Sequence, residues 1–255
     1  MKTFFSKGWR SLLVLLLLFI SWEVIVKIMK IPEWLLPAPS KIFSEAILSW
    51  SDFTVHLVST VNLSVIGFLI GTCIGLLTAI LLYLIPFLKD SLYPLLILSQ
   101  NIPTIVLAPL LVIWFGFGML PKIIVITLVC FFPVTVAALD GFKQTPAELK
   151  HYLFMAGANK RQMFWKLEFP SALPSIFSGI KISATYSVLG AVISEWLGAK
   201  AGIGVYMTLA SSSFRTDRVF VAIFAIMILS LLFFAIIRFV EHLVIRWHDQ
   251  GDVSK

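Results

Sequence analysis

Six segments of this 255-residue chain are apolar over about 20 residues, the length a helix needs to cross a bilayer. Leu12 to Ile20 is apolar without a break. The six runs are expected near residues 11–30, 57–85, 91–115, 122–141, 176–197 and 219–245. No backbone can cross lipid with its N–H and C=O groups unpaired, so such runs leave helices as the fold. The residues are 59% hydrophobic and only 13% charged, far from the quarter that soluble domains carry. The expected fold is therefore an all-α integral membrane protein in contact with the lipid bilayer. In the first run, Lys2, Lys7 and Arg10 precede the apolar stretch as they would in a signal peptide. However, Trp22 and Glu23 follow it and no small-x-small cleavage site appears, so it reads as an uncleaved first span.

A formal charge of +7 would point to nucleic acid in a soluble protein. Here it follows from basic loops, and no nucleic-acid partner is expected. With the N-terminus inside, the inner segments hold more than twice the Lys and Arg of the outer ones. The bias predicts both termini in the cytoplasm, with 1–10 as a cytoplasmic N-terminus, 11–246 as the transmembrane domain and 247–255 as a cytoplasmic tail.

One long polar stretch interrupts the apolar pattern, residues 145–174, TPAELKHYLFMAGANKRQMFWKLEFPSALP. It reads as two short helices. Thr145 and Glu148 have the spacing of a capping box, with Pro146 suited to the first helical position. Gly157 is a breaker at the end of the first helix. The second helix starts near Lys160 and is expected to end before Pro170. Read locally, the pair is either an ordinary basic loop or a docking element with an apolar face.

Chemical motifs are few. There is no GxxxxGK[ST]; the glycine-rich Gly198 to Gly204 lacks the Lys-Ser/Thr end that meets phosphate. There is no HExxH, no Cys/His cluster and no GxSxG, so the sequence gives no support for a metal, a cofactor or a catalytic residue. Cys73 and Cys130 read as small buried residues, and His56, His151, His242 and His248 as solvated ones. In the third run, Ser99, Gln100, Asn101 and Thr104 surround Pro103, with Pro94 and Pro109 as further breaks. This polar patch reads as a pathway lining, with interhelical hydrogen bonding as the alternative. Glu195 is carried with it as a possible pathway residue. Packing or loop anchoring is the stronger reading for Glu195, as for Glu23. Lys181, Arg238 and Glu241 are expected to snorkel. Gly67, Gly71 and Gly75 recur every fourth residue and place a close-approach face on the second span.

The spacing His151-x5-Gly157-x9-Leu167-x2-Pro170 resembles the EAA signature of bacterial ABC importer permeases. The glycine and proline match. The Glu-Ala-Ala positions read His151, Tyr152 and Leu153. Leu36-Pro-Ala-Pro-Ser40, Asn101 to Leu110 with Trp114 to Gly118, and Pro170 to Pro174 look like the nitrate/sulfonate/taurine branch. Lys181 to Ser187, Ser194 to Ala199 and Gly202 to Met207 look most like permeases for thiamine pyrimidine precursors. The resemblance implies the six-helix type I ABC importer (MetI-like) fold, paired as a homodimer. It also implies a separate cytoplasmic ATPase and an extracytoplasmic solute-binding protein. It assigns the region 145–170 to coupling, through Glu148, His151, Leu153, Ala156, Gly157, Ala158, Asn159 and Pro170. A secondary transporter is the competing class, favoured by the broken third run and the intramembrane glutamates. The capped helix pair and the absence of an inverted repeat weigh against it.

Overall fold

The apolar runs lack helix breakers at most interior positions, and all of them are helical in the computed structural model, which describes residues 2–245, with side chains from residue 9 on. In chain order the helices are α1 (Lys2–Ile28), α2 (Pro39–Leu48), α3 (Trp50–Leu84), α4 (Pro86–Ser99), α5 (Thr104–Phe115) and α6 (Met119–Lys143). They continue with α7 (Ala147–Met155), α8 (Lys160–Met163), α9 (Phe169–Glu195), α10 (Ile203–Ser212) and α11 (Thr216–Val244). No strand occurs among the described residues. Five helical stretches are long and apolar enough to cross a membrane, and α4 with α5 makes a sixth, bent by 99°.

The core is α6 and α9, with α3 against both. Small residues bring the backbones together. A Cβ on Gly71 would stand 2.6 Å from Cys130 Cβ and 2.8 Å from the Thr127 carbonyl oxygen. On Gly75 it would stand 2.8 Å from the Phe131 carbonyl oxygen, and on Gly67 it would overlap Ile126. Gly179 of α9 faces α6 in the same way, against Ala137 and the Pro133 carbonyl. Around these contacts Val125, Ile126, Val134, Ala138 and Leu139 are buried. Leu12 to Leu18 of α1 are all exposed, as a lipid-facing surface requires.

Several expectations need correction. The third run starts earlier than expected, because Pro86 to Asp90 already form the first turn of α4. The third run breaks once, at Gln100 to Pro103; Pro94 and Pro109 lie inside helices. The 31–55 connection holds α2 and the start of α3. The second polar helix does not stop before Pro170. It passes from α8 through a π-helical turn, Phe164–Glu168, directly into α9. Proline lacks an N–H, and its ring collides with the carbonyl four residues back, here Lys166; the widened turn lets the helix continue. Cys73 is exposed rather than buried. The expected tail 247–255 lies outside the described residues.

Two helices outrun the bilayer. At 35 residues, α3 is about 52 Å long against an apolar thickness of roughly 30 Å, so it tilts or projects. The stretch Lys160–Glu195 is as long, 36 residues. Their ends carry the polar chemistry of the molecule.

Candidate functional site

The polar stretch forms a rigid corner. At the end of α7, Gly157 takes φ +83, the left-handed region. Its N–H donates to the Phe154 carbonyl (3.0 Å) and the Ala158 N–H to the Leu153 carbonyl (3.0 Å), the Schellman pattern. No atom would meet a Cβ at Gly157 within 4 Å. Glycine is thus required by the backbone angle, not by close approach. Two residues later Asn159 caps α8. Its side chain accepts from the Gln162 N–H (2.8 Å), and the Gln162 side chain accepts from the Asn159 N–H (2.9 Å). This is the capping box of the region. The expected one at Thr145 and Glu148 does not form, because the helix starts at Ala147 with Pro146 as its cap. Thr145 instead donates to the Phe142 carbonyl (3.3 Å).

Helix α7 buries no residue. Leu149, Tyr152, Phe154 and Met155 are exposed. Of the residues assigned to coupling, Glu148, His151, Ala156, Gly157 and Asn159 are exposed, and Leu153, Ala158 and Pro170 are half-buried. All but Pro170 lie on α7 and the corner; Pro170 is at the start of α9. Beneath them is a cluster that the sequence did not reveal. Tyr83 Oη donates to Glu168 Oε1 (2.7 Å), Lys150 Nζ pairs with the same oxygen (2.8 Å), and Lys150 Nζ lies 3.3 Å from Tyr83 Oη. Partial burial works against the Lys150 charge, but the bonds from Glu168 and Tyr83 outweigh it, so its pKa lies above the usual lysine value. The Tyr83 ring packs on Phe142 and Phe164, with centroids 4.9 and 5.9 Å away.

At the bend between α4 and α5 lies a cavity of about 870 Å³. Ser99, Gln100, Asn101, Pro103 and Thr104 line it, as does Tyr186 of α9 together with Phe131 and Phe132 of α6, which the sequence reading had not singled out. Asn101 donates to the Ile97 carbonyl (2.8 Å), a group freed at the broken end of α4, and Ser99 donates to the Leu96 carbonyl (2.9 Å), which also accepts the Gln100 N–H. No charged residue lines the cavity.

Glu195 is not part of this lining. It is buried at the C-terminal end of α9. Thr60 Oγ1 donates to its Oε1 (2.7 Å) and the Gly204 N–H to its Oε2 (2.8 Å). Thr60 also accepts from the Ile203 N–H (2.8 Å). The Gly202 N–H donates to His56 Nδ1 (3.1 Å), and Ser59 donates to the Ala201 carbonyl (3.2 Å). The glycine-rich segment is thus stitched onto α3, and His56, expected as a solvated residue, is one of the stitches. Glu23 has a similar anchoring part. It accepts from the Ser40 N–H (3.0 Å) and hydroxyl (2.7 Å) and pairs with Lys27 (2.7 Å), fixing α2 to α1. Lys181 and Glu241, expected to snorkel separately, pair with each other at 2.8 Å across α9 and α11. No group of three potential metal ligands exists among the described residues.

Residues 71–246 match the family described as binding-protein-dependent transport system inner membrane component. The chain is 37% identical to the formylaminopyrimidine transport permease protein of Halalkalibacterium halodurans, across 93% of this chain and 95% of that one. It is 31% identical to a putative aliphatic sulfonates transport permease protein of Bacillus subtilis, across 95% and 89%. It is 30% identical to the riboflavin transport system permease protein of Chloroflexus aurantiacus, across 91% and 88%.

Proposed function

The chain belongs to the family of binding-protein-dependent transport system inner membrane components, and from that premise we propose how it couples and what it carries. As a permease subunit of an ABC importer it is a multi-pass protein of the cytoplasmic membrane and not itself an enzyme. It works with an ATPase subunit and a solute-binding protein.

The coupling element is the corner formed by α7 and α8. One observation carries this reading: an exposed apolar helix, held by a Schellman turn and a capping box, stands between two spans without burying a residue of its own. A helix pair capped at the joint moves as a body, so it can transmit a push. The apolar exposed side of α7 fits a groove in the ATPase. The excess of Lys and Arg in the segments on the corner's side supports a cytoplasmic position for it and for both termini. Two copies pair, and the cavity at the α4–α5 bend faces the path between them.

The cargo is an uncharged, planar aminopyrimidine of the thiamine-precursor type. The similarity to a formylaminopyrimidine permease supports this. So does the cavity, whose amides and hydroxyls can pair with ring nitrogens and whose aromatic residues can stack on a flat ring. A sulfonate would meet no basic side chain there. The test is reconstitution in proteoliposomes with the ATPase and binding protein, followed by uptake of labelled formylaminopyrimidine against a labelled aliphatic sulfonate. Uptake of the pyrimidine alone is expected; uptake of the sulfonate alone would overturn the cargo reading. In the same assay Gly157→Glu should insert normally and transport nothing. Normal transport by that variant would remove the corner from the coupling path.

A further inference from the structure

Helix α7 needs a connection to the membrane helices if its movement is to open a path. It buries no residue, and among the described residues Lys150 is the only α7 side chain with a hydrogen bond or ion pair to another helix. That bond ends on two elements at once. Glu168 closes the π-helical turn immediately before α9, and Tyr83 is in the last turn of α3. The Tyr83 ring rests on an aromatic cluster in which Phe142 lies 5.4 Å from Phe164 and 6.3 Å from Phe169 between ring centroids. The carboxylate is mostly buried, at 11% side-chain exposure, whereas the ammonium is 31% exposed.

We propose that Tyr83, Lys150 and Glu168 form the node through which α7 drives α3 and α9 together. The proposal rests on the permease reading above and adds positioning residues to it. Glu168 suits this role because its two partners converge on one oxygen. A displacement of Lys150 therefore pulls the start of α9 and the end of α3 in the same direction. Glu168 closes the π-helical turn that Pro170 requires, so the node sits where the helix already departs from α geometry. The capped corner joins α7 through α8 to α9, but among the described residues only the node also joins α7 to α3, so it makes the two spans follow together.

The experiment uses the chain purified with its ATPase. Spin labels are placed at Ala147→Cys on α7 and Leu77→Cys on α3, with exposed Cys73 replaced by serine and buried Cys130 left in place. The distance is read without nucleotide and with ATP plus vanadate. One narrow distance in both states is expected with the native node. Glu168→Gln should make the distance change between the states and lower uptake per ATP hydrolysed about five- to tenfold, the low end for coupling between sites. The charge-reversed pair, Lys150→Glu with Glu168→Lys, should restore the narrow distance and most of the uptake. A purely structural role would instead lower the yield of assembly without altering its coupling. An unchanged distance with normal uptake per ATP in Glu168→Gln overturns the node and leaves the permease reading intact. A native chain that recovers no ATPase overturns both. The distance measurement needs no cargo, so it reads the node even where the pyrimidine assignment fails.

Discussion

Helix α9 carries a buried carboxylate at each end, and the two are held in opposite ways. At the C-terminal end Glu195 is 1% exposed and takes only neutral donors, the Thr60 hydroxyl and the Gly204 N–H. At the N-terminal end Glu168 is met by a tyrosine and by a charged lysine that reaches solvent. The arrangement around Glu195 is dense. A Cβ on Gly202 would overlap the Glu195 carboxylate, and His56, Ser59 and Thr60 tie the following loop to α3. The arrangement around Glu168 is a single three-way contact under a helix that buries nothing. Neutral hydrogen bonds in a closed pocket fix a shape, since every partner lost leaves an unpaired polar group. The Lys150 half of the ion pair is 31% exposed and can turn to water, whereas Glu168 stays mostly buried with the bond from Tyr83. The same helix thus ends in a closed pocket on one side and in a pair that reaches solvent on the other.

This comparison is most severely tested at Gly202. Gly202→Val forces a branched side chain onto φ +141 and into the Glu195 carboxylate. The strain and overpacking together should destabilise the protein by about 2–6 kcal/mol. Thermal unfolding in detergent reads this, and a melting temperature near the native one would mean that the C-terminal end of α9 is not closely packed. Next is Glu195→Leu, which leaves the Gly204 N–H and the Thr60 hydroxyl without their acceptor. A loss of about 2–4 kcal/mol is expected, with Glu195→Gln well below it. If the two variants melt alike, the carboxylate is not the keystone of that loop. Smaller again is the stability cost of Glu168→Gln, about 1–2 kcal/mol, since the amide oxygen still accepts from Tyr83 and Lys150 can turn to solvent. A loss as large as that of Glu195→Leu would make the N-terminal end a second rigid anchor and erase the contrast. Smallest is Asn159→Ala, about 1 kcal/mol for the lost cap. Hydrogen exchange should show faster exchange at residues 160–163 and unchanged protection in α6.

Much of the architecture was legible because it follows from local rules. The apolar runs gave the spans to within a few residues at most ends, and four-residue spacing alone put Gly67, Gly71 and Gly75 on one face. Gly157 could be read as a helix end. The corner was misread in its details because only the first of two capping-box spacings was picked out. Thr145-x-x-Glu148 lost because Pro146 moves the helix start to Ala147, and Asn159-x-x-Gln162, equally visible in the sequence, is the one that forms. Pro170 was read as a terminator, yet a widened turn accommodates it. That choice depends on whether continuing the helix into α9 buries enough surface to offset a strained turn, and no local rule supplies that balance.

What the sequence determined by itself was the class of molecule: a bundle of membrane helices, a capped polar interruption between two of them, and the family. Those features rest on interactions within a turn or two of helix and on the length a bilayer imposes. Tertiary structure alone decided the polar contacts that give α9 its two different ends. Tyr83 and Glu168 are 85 residues apart, and Thr60 and Glu195 are 135 apart. In sequence each is an isolated polar residue near the end of an apolar run. Only the packing of α3 against α6 and α9, set by glycines that admit the backbones, brings them within hydrogen-bond distance and gives each carboxylate its partners.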